Sequence, residues 1–270
     1  GRIATIWGAA EMDPIYSLAG AFVGLFVGLT GVGGGSLMAP LLIIFGINPA
    51  VAVGTDLWFA AITKTVGSGI HQKYGSPDWQ LVRRLALGSV PAAILTVLYL
   101  SFFHQGRLES DLLLTILGGV LLLTALLMLL KNRITAPLRK FHNKVTPKVQ
   151  RRQLIATALG GLVVGILVTL TSVGAGALVA VLLALTYPLR LSARTIVGTD
   201  IIHAVPLTLV AALGHSWLGN VDVWLLASLL IGSIPGIVVG SMVAGKVNDN
   251  LVRYALAAML AVSAVKMLMG

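Results

Sequence analysis

Thr30-Gly31-Val32-Gly33-Gly34-Gly35-Ser36 interrupts an apolar segment that runs from Ile15 to Phe45. This segment is longer than the ~20 apolar residues that cross a bilayer as one helix. Each glycine also costs a helix about 1 kcal/mol relative to alanine. A related stretch, Thr171-Ser172-Val173-Gly174-Ala175-Gly176, interrupts a second long apolar segment at Leu154 to Tyr187. Each break therefore divides its segment into two short legs, which form either a kinked helix or a re-entrant hairpin.

The composition is that of a polytopic membrane protein. Hydrophobic residues make up 57% of the 270 positions and charged residues 10%, whereas a soluble domain carries about 25% charged residues. The chain has no cysteine, which excludes disulfides, thiol nucleophiles and cysteine-type zinc sites. Six further apolar segments have the length of a single spanning helix: Val51 to Ile70, Leu85 to Phe103, Leu112 to Leu130, Thr195 to Leu213, Val223 to Val243 and Leu251 to Met269.

The eight apolar segments are two copies of four. Several positions recur 141 residues later, including Gly20, Thr30 and Gly33 as Gly161, Thr171 and Gly174. Val53-Gly54-Thr55-Asp56 then recurs 144 residues on as Val197-Gly198-Thr199-Asp200. We therefore divide the chain into an N-terminal extension (1–14), membrane repeat 1 (15–130), a basic loop (131–153) and membrane repeat 2 (154–270). Repeated halves are typical of secondary transporters.

The positive charge predicts the orientation of these segments. A net charge of +10 suggests a nucleic-acid binder at first, but eight of the nineteen Lys and Arg residues lie between Lys131 and Arg152. Such clustering marks cytoplasmic loops. If the broken segments are hairpins, the loops that carry Arg190, Arg194, Lys246 and Arg253 join that basic loop on the cytoplasmic side. If each broken segment is one crossing, these loops lie outside.

Charge thus favours hairpins, and each half then crosses the membrane an odd number of times. We expect an all-α polytopic membrane protein of two inverted-topology repeats. Each repeat contains a glycine-broken re-entrant or hairpin segment and three transmembrane helices. This arrangement surrounds a substrate site at the membrane midplane in transporters.

The glycine breaks are the first candidate site. Helices that start after Gly35 and Gly176 would direct free backbone N–H groups and a positive dipole end at the midplane, which suits an anion. Spaced glycines such as Gly20, Gly24 and Gly28 instead indicate close helix packing. The predicted substrate-binding residues are Gly33, Gly34, Gly35, Ser36, Thr55, Thr171, Ser172, Gly174, Ala175, Gly176 and Thr199.

Asp56 and Asp200 are the only acidic residues inside apolar segments. An ionisable group in the membrane is costly and indicates function by default, so we predict proton coupling through these two carboxylates. Helix capping is the alternative, because each Gly-Thr-Asp lies near the start of its segment. Lys64 is explained by snorkelling to the cytoplasmic side or by attraction of an anion, and His203 by a proton relay or by packing.

The sequence also resembles a known family. Gly31-Val32-Gly33-Gly34-Gly35-Ser36-Leu37-Met38-Ala39-Pro40, followed by Val51-Ala52-Val53-Gly54-Thr55, resembles the signature of the sulfite exporter TauE/SafE family. A degenerate second copy runs from Ser172 to Gly176 and on to Gly198-Thr199-Asp200. Its Ala175 and Val181 depart from the fuller pattern, which questions equal roles for the two halves.

The resemblance implies a bacterial-type carrier of the cell inner membrane that exports sulfite, sulfoacetate or a related organosulfonate. It implies no cofactor, no metal and no catalytic residue. The expected partners are a small anionic substrate and the lipid bilayer, with no nucleic acid; a homodimer stays open. Two alternatives remain: a passive anion channel on the same scaffold, and an intramembrane aspartyl protease with Asp56 and Asp200 as its dyad. Thr55 and Thr199 argue against the protease, because such enzymes usually have glycine before the aspartate.

Overall fold

The computed structural model describes residues 14–30, 37–71, 77–135, 146–187 and 191–269, and these residues form ten α-helices without any strand. The helices are α1 (Pro14–Thr30), α2 (Met38–Ile44), α3 (Pro49–His71), α4 (Trp79–Phe103), α5 (Ser110–Thr135), α6 (Pro147–Thr171), α7 (Ala175–Thr186), α8 (Ala193–Trp217), α9 (Val223–Val243) and α10 (Asp249–Met269). The predicted all-α architecture is confirmed.

Six of these helices are long and apolar enough to cross a membrane: α4, α5, α6, α8, α9 and α10. Helix α3 was predicted as a span, but it is not among the six because Asp56 and Lys64 interrupt its apolar sequence. Large apolar side chains cover the outside of the bundle, with Leu87, Phe102 and Met242 among the most exposed. Soluble monomers rarely expose so much contiguous apolar surface, so the structure supports a membrane protein.

Helix α6 is longer than the sequence predicted. It begins at Pro147, inside the expected 131–153 loop, and has 25 residues, which is about 38 Å at ~1.5 Å per residue. The Thr146 side chain caps this helix by accepting from Val149 N, and Pro147 occupies its first turn. Proline is well suited to that position because its fixed φ matches the helix. The first leg of the second broken segment therefore has the length of a full span.

The short helix that follows each break returns beside the helix that precedes it. Tyr187, at the end of α7, is buried, and its hydroxyl lies 2.9 Å from Thr157 Oγ1 in the first half of α6. Gln153 Nε2 donates to Thr186 O at 3.0 Å. In the first half of the chain, the rings of Tyr16 and Phe45 lie 6.3 Å apart. Both broken segments thus bring their two ends together.

Glycines let the helices of the two halves cross at backbone distance. A Cβ at Gly24 on α1 would overlap Ser233 O on α9, and a Cβ at Gly165 on α6 would overlap Ser89 O on α4. The two contacts are equivalent in the sequence repeat, because Gly165 lies 141 residues after Gly24 and Ser233 lies 144 residues after Ser89. Packing of the spaced glycines is thereby confirmed, and each half uses the other as its main packing partner.

The hydrophobic core consists of two clusters, each built from both halves of the chain. One includes Leu57 of α3 together with Val179 of α7 and Leu207 of α8. The other includes Leu42 of α2 and Leu117 of α5 together with Leu256 of α10. Helices α3 and α8 also pack directly against each other. The two repeats are consequently one interlocked unit.

We expect Gly24→Ala to lower the free energy of unfolding by about 1–3 kcal/mol, because the added methyl group meets the backbone of α9 rather than a movable side chain. Thermal unfolding in detergent measures this change. Gly119→Ala on α5 is the matched control, since nothing lies within 4 Å of a Cβ there and alanine favours a helix by about 1 kcal/mol over glycine. Equal melting temperatures for the two variants would contradict the packing argument.

Candidate functional site

The second helix break is a short buried turn between α6 and α7. Ser172 has φ of 60° and Gly174 has φ of 116°, so the chain reverses there through left-handed backbone. Thr171 Oγ1 stabilises the turn by accepting from Val173 N at 3.1 Å and donating to Leu167 O at 2.6 Å. The prediction that the helix starts after Gly176 was wrong by two residues. Gly174 supplies the positive φ, so Ala175 and Gly176 already belong to α7.

The start of α7 presents backbone donors inside the protein. The first N–H groups of a helix have no partner within it, and the N-cap residue Gly174 has no side chain that could accept from them. Ala175 and Gly176 are buried. Ser172 is also buried, and its Oγ has no hydrogen-bond partner among the described residues. This end of α7 therefore offers N–H donors and one uncommitted hydroxyl group.

The first helix break lies mostly outside the described residues. This is true of Gly33, Gly34, Gly35 and Ser36, which therefore stay predictions. On the far side of this break, Ala39 N in the first turn of α2 donates to Asp56 Oδ2 at 3.2 Å. Asp56 thus holds the start of α2 from the neighbouring helix α3.

The start of α2 and the second break meet at the Asp56 carboxylate. Asp56 is fully buried, and Ser172 of the second break faces the same carboxylate that Ala39 N contacts. Neither Asp56 Oδ1 nor Ser172 Oγ reaches hydrogen-bond geometry within the described part of the chain. A buried carboxylate oxygen and a hydroxyl group are thus both left with unused hydrogen-bonding capacity between the two breaks.

Neither aspartate caps its own helix, so that alternative was wrong. Asp56 lies seven residues after Pro49, the first residue of α3. The start of α3 is instead held by Asn48 Oδ1, which accepts from Ala50 N at 3.0 Å. Asp200 lies in the second turn of α8 and is also buried. Ser192 caps that helix by accepting from Thr195 N.

The predicted threonine ligands join the two halves. Thr55 Oγ1 accepts from Asp222 N at 3.1 Å, and Thr199 Oγ1 accepts from Asp78 N at 3.0 Å. Asp78 and Asp222 are themselves the N-caps of α4 and α9. The two threonines therefore fix the ends of helices beside the site, and their role toward substrate stays a prediction.

A further cation belongs to the site. The ammonium group of Lys64 on α3 interacts electrostatically with both Asp200 and Asp56. It also acts electrostatically on His203, whose ring is fully buried on α8. His203 Nε2 lies 2.7 Å from Ser89 Oγ on α4, and His203 Nδ1 has no partner among the described residues. We call Asp56, Lys64, Ser89, Asp200 and His203 the central polar cluster.

Sequence reasoning underestimated two members of this cluster. For Lys64 the sequence left both snorkelling and attraction of an anion open. Its position along α3 does not reveal which neighbours its side chain faces. Ser89 was visible only as part of the repeated Gly-Ser-x-Pro motif, which recurs at Ser233. The signal that identifies both is three-dimensional, since Ser89 is 114 residues from His203. No group of acidic and histidine side chains suited to a metal occurs among the described residues.

The chain resembles membrane transporters over most of its length. A sequence model described as "Sulfite exporter TauE/SafE" matches residues 16–267. "Probable membrane transporter protein YjnA" of Bacillus subtilis is 40% identical over 254 residues, which cover 93% of this chain and 98% of that protein.

More distant relatives carry similar names. "Probable membrane transporter protein YdhB" of Bacillus subtilis is 29% identical over 81% of this chain and 85% of its own length. "Probable membrane transporter protein MJ0441" of Methanocaldococcus jannaschii is 25% identical over 88% of this chain and 87% of its own length. No solved structure matches the chain. Because the family model covers nearly the whole sequence, the chain belongs to the sulfite exporter TauE/SafE family and is a membrane transporter rather than an enzyme.

Proposed function

We propose that this protein is a secondary transporter that exports a small sulfur-containing oxyanion, such as sulfite or sulfoacetate, across the inner membrane. The observation that carries the proposal is that the start of α2 and Ser172 of the second break meet at one buried carboxylate, Asp56. The description of the family as sulfite exporters supports this class of substrate. The N-terminal ends of helices suit a small anion, because they carry partial positive charge from the backbone.

The anion is held by groups that need no formal charge. The first N–H groups of α7 and the Ser172 hydroxyl can donate to its oxygen atoms at the second break. The glycines and Ser36 of the first break are proposed to supply the equivalent donors from the opposite side. Irregular backbone at membrane depth occurs where it lines a cavity or is covered by protein, which agrees with a substrate role for both breaks.

Coupling to protons follows from the two aspartates. An oxyanion that enters the site approaches Asp56 and Asp200, which are both buried. Two like charges about 4 Å apart repel by about 4 kcal/mol at an effective dielectric constant of ~20. Protonation of a carboxylate removes this repulsion. We therefore propose that binding of protons and binding of the anion are coupled in this site.

The proposed topology is an inverted repeat with the 131–153 loop in the cytoplasm. Arg107, between α4 and α5, donates from Nε to Asn220 Oδ1 at 2.7 Å, between α8 and α9. Arg84 Nη1, near the start of α4, donates to Tyr187 OH at 2.9 Å, beyond the end of α7. Both contacts require their partners to lie on the same side of the membrane. Single-crossing breaks would put them on opposite sides, whereas hairpins keep them together.

Single cysteines test this topology without background, because the native chain contains none. We expect Glu109→Cys and Trp217→Cys to react with a membrane-impermeant maleimide applied to the outside of spheroplasts. Gln150→Cys and Asn250→Cys should react only after the membrane is permeabilised. All four positions are exposed in the structure. Labelling of Asn250→Cys from outside together with protection of Trp217→Cys would support single crossings and refute the inverted repeat.

Transport is tested in proteoliposomes. We expect the purified protein to accumulate radiolabelled sulfite or sulfoacetate, and an inward proton gradient to accelerate uptake under the proposed coupling. Unlabelled anion inside the vesicles should stimulate entry of label, because a carrier exchanges substrate across the membrane. Flux that neither saturates nor shows this exchange would instead indicate the passive channel. Protein-free liposomes are the control, and equal uptake by them would refute the proposal.

Asp56→Asn and Asp200→Asn should each abolish acceleration by the proton gradient, because asparagine cannot take up the proton. Asp78→Asn and Asp222→Asn are the matched controls, since these residues cap helices and asparagine caps about as well as aspartate. Initial uptake rates with and without the gradient measure the effect. Unchanged acceleration in both Asp56→Asn and Asp200→Asn would remove these residues from the coupling mechanism.

A further inference from the structure

We infer that Lys64 is the specificity-determining residue of the transport site: its ammonium group exchanges a carboxylate partner for the anionic substrate when that carboxylate is protonated. This inference rests on the proposed function, because it assigns a role within the same site. It assigns the formal positive charge that the backbone donors at the breaks do not supply. It also explains why a transporter of anions keeps two aspartates beside its site.

The position of Lys64 supports this role. It is partly buried on α3, one residue after the buried Thr63, and α3 packs directly on α8. From there its ammonium group interacts with Asp56 on its own helix and with Asp200 across the helix pair. Asp56 also contacts the start of α2 and faces Ser172. Asp56 thus connects Lys64 with the start of α2 and with Ser172 of the second break.

Within the described part of the chain, the charged groups that act on Lys64 are Asp200 and Asp56. Helices α2 and α9, which pack with α3 or its neighbours, contain no charged residue. The charged residues of α5 and α6 lie in the first or last two turns of these helices. The titratable groups that face Lys64 are therefore Asp56, Asp200 and His203.

The charges of this group change sign with protonation. With both carboxylates ionised and His203 neutral, Lys64 leaves a net charge of −1, which opposes an anion. One proton makes the group neutral, and a second makes it +1. Each proton also frees the ammonium group from one competing carboxylate. Binding of a monoanion next to Lys64 is therefore favoured only after at least one carboxylate has been protonated, and this couples the two ions through electrostatics alone.

The second half of the chain has no cation at the position that corresponds to Lys64. Thr208 occupies the position that corresponds to Lys64 in the second half, and its Oγ1 donates to Ala204 O of its own helix at 2.8 Å. Thr208 is buried, so the scaffold accommodates a short neutral side chain at this place. A purely structural lysine would neutralise buried carboxylates and nothing more. This structural alternative predicts a different outcome in the following experiment.

The experiment measures binding of sulfite and sulfoacetate by the ligand-induced shift in melting temperature of the full-length protein in detergent. Five proteins are compared with the wild type: Lys64→Arg, Lys64→Gln, Asp200→Asn, the double variant Lys64→Gln/Asp200→Asn, and the exposed charge control Lys266→Gln. We expect Lys64→Gln to weaken anion binding by about tenfold or more, as for loss of a charge-assisted hydrogen bond. Lys266→Gln should retain binding, and Lys64→Arg should bind the anion more tightly than Lys64→Gln because it keeps the positive charge.

The variants at Asp200 separate the two roles. If Lys64 binds the substrate, Asp200→Asn strengthens anion binding and reduces its dependence on pH, because one competitor for the ammonium group is removed. Compared with Lys64→Gln, the double variant Lys64→Gln/Asp200→Asn is then more stable to unfolding but still binds the anion weakly. If Lys64 only balances buried charge, the double variant regains binding as well, and the inference is overturned. Asp200→Asn keeps the test decisive even where Lys64→Gln does not fold.

Failure of the inference differs from failure of the proposed function. Wild-type protein that neither binds nor transports any sulfur oxyanion would refute the function itself. If Lys64→Gln instead binds the anion as tightly as the wild type, the proposed function stands and only the role of Lys64 is refuted.

Discussion

The constraint on which this structure depends is that backbone N–H and C=O groups cannot be left without partners in hydrocarbon. A break in a helix at membrane depth exposes such groups, so the protein has to enclose it. At the second break the Thr171 hydroxyl accepts a hydrogen bond from Val173 N, and Val173 is fully buried. The helices around the breaks therefore do more than span the membrane, because they also shield an irregular turn that lipid cannot solvate.

Enclosure of two breaks explains why the halves interlock instead of forming two bundles. The glycines of α1 pack on α9 and those of α6 pack on α4, each against main-chain atoms of the other half. Without a hydrophobic effect between helices in lipid, close backbone approach is the main source of association energy. Thr55 and Thr199 also join the two halves at helix ends, because their hydroxyl oxygens accept hydrogen bonds from the N-cap residues of α9 and α4. Separation of the halves would thus also expose the second break.

The sequence predicted the features that depend on local chemistry. The second helix break, at Gly174, and the glycine packing faces follow from residue type and spacing, and the structure confirms them. The start of α6 at Pro147 was missed because a run of basic residues concealed the Thr146-Pro147 cap signal. The neighbours of Lys64 and Ser89 were not predictable, because they depend on how α3, α4 and α8 cross, and a single sequence contains no direct record of those crossings.

The two repeats differ in residue type at several positions of the central polar cluster. Asp56 and Asp200 are retained in both halves, but the fully buried Phe59 corresponds to His203, and Lys64 corresponds to Thr208. Ser233 lacks the histidine that its counterpart Ser89 contacts, and its Oγ turns back to Leu230 O of its own helix. The central polar cluster consequently takes its cation from one half and its histidine from the other. Duplication alone would supply two equal sites, whereas these substitutions assemble a single asymmetric one where α3 and α8 meet.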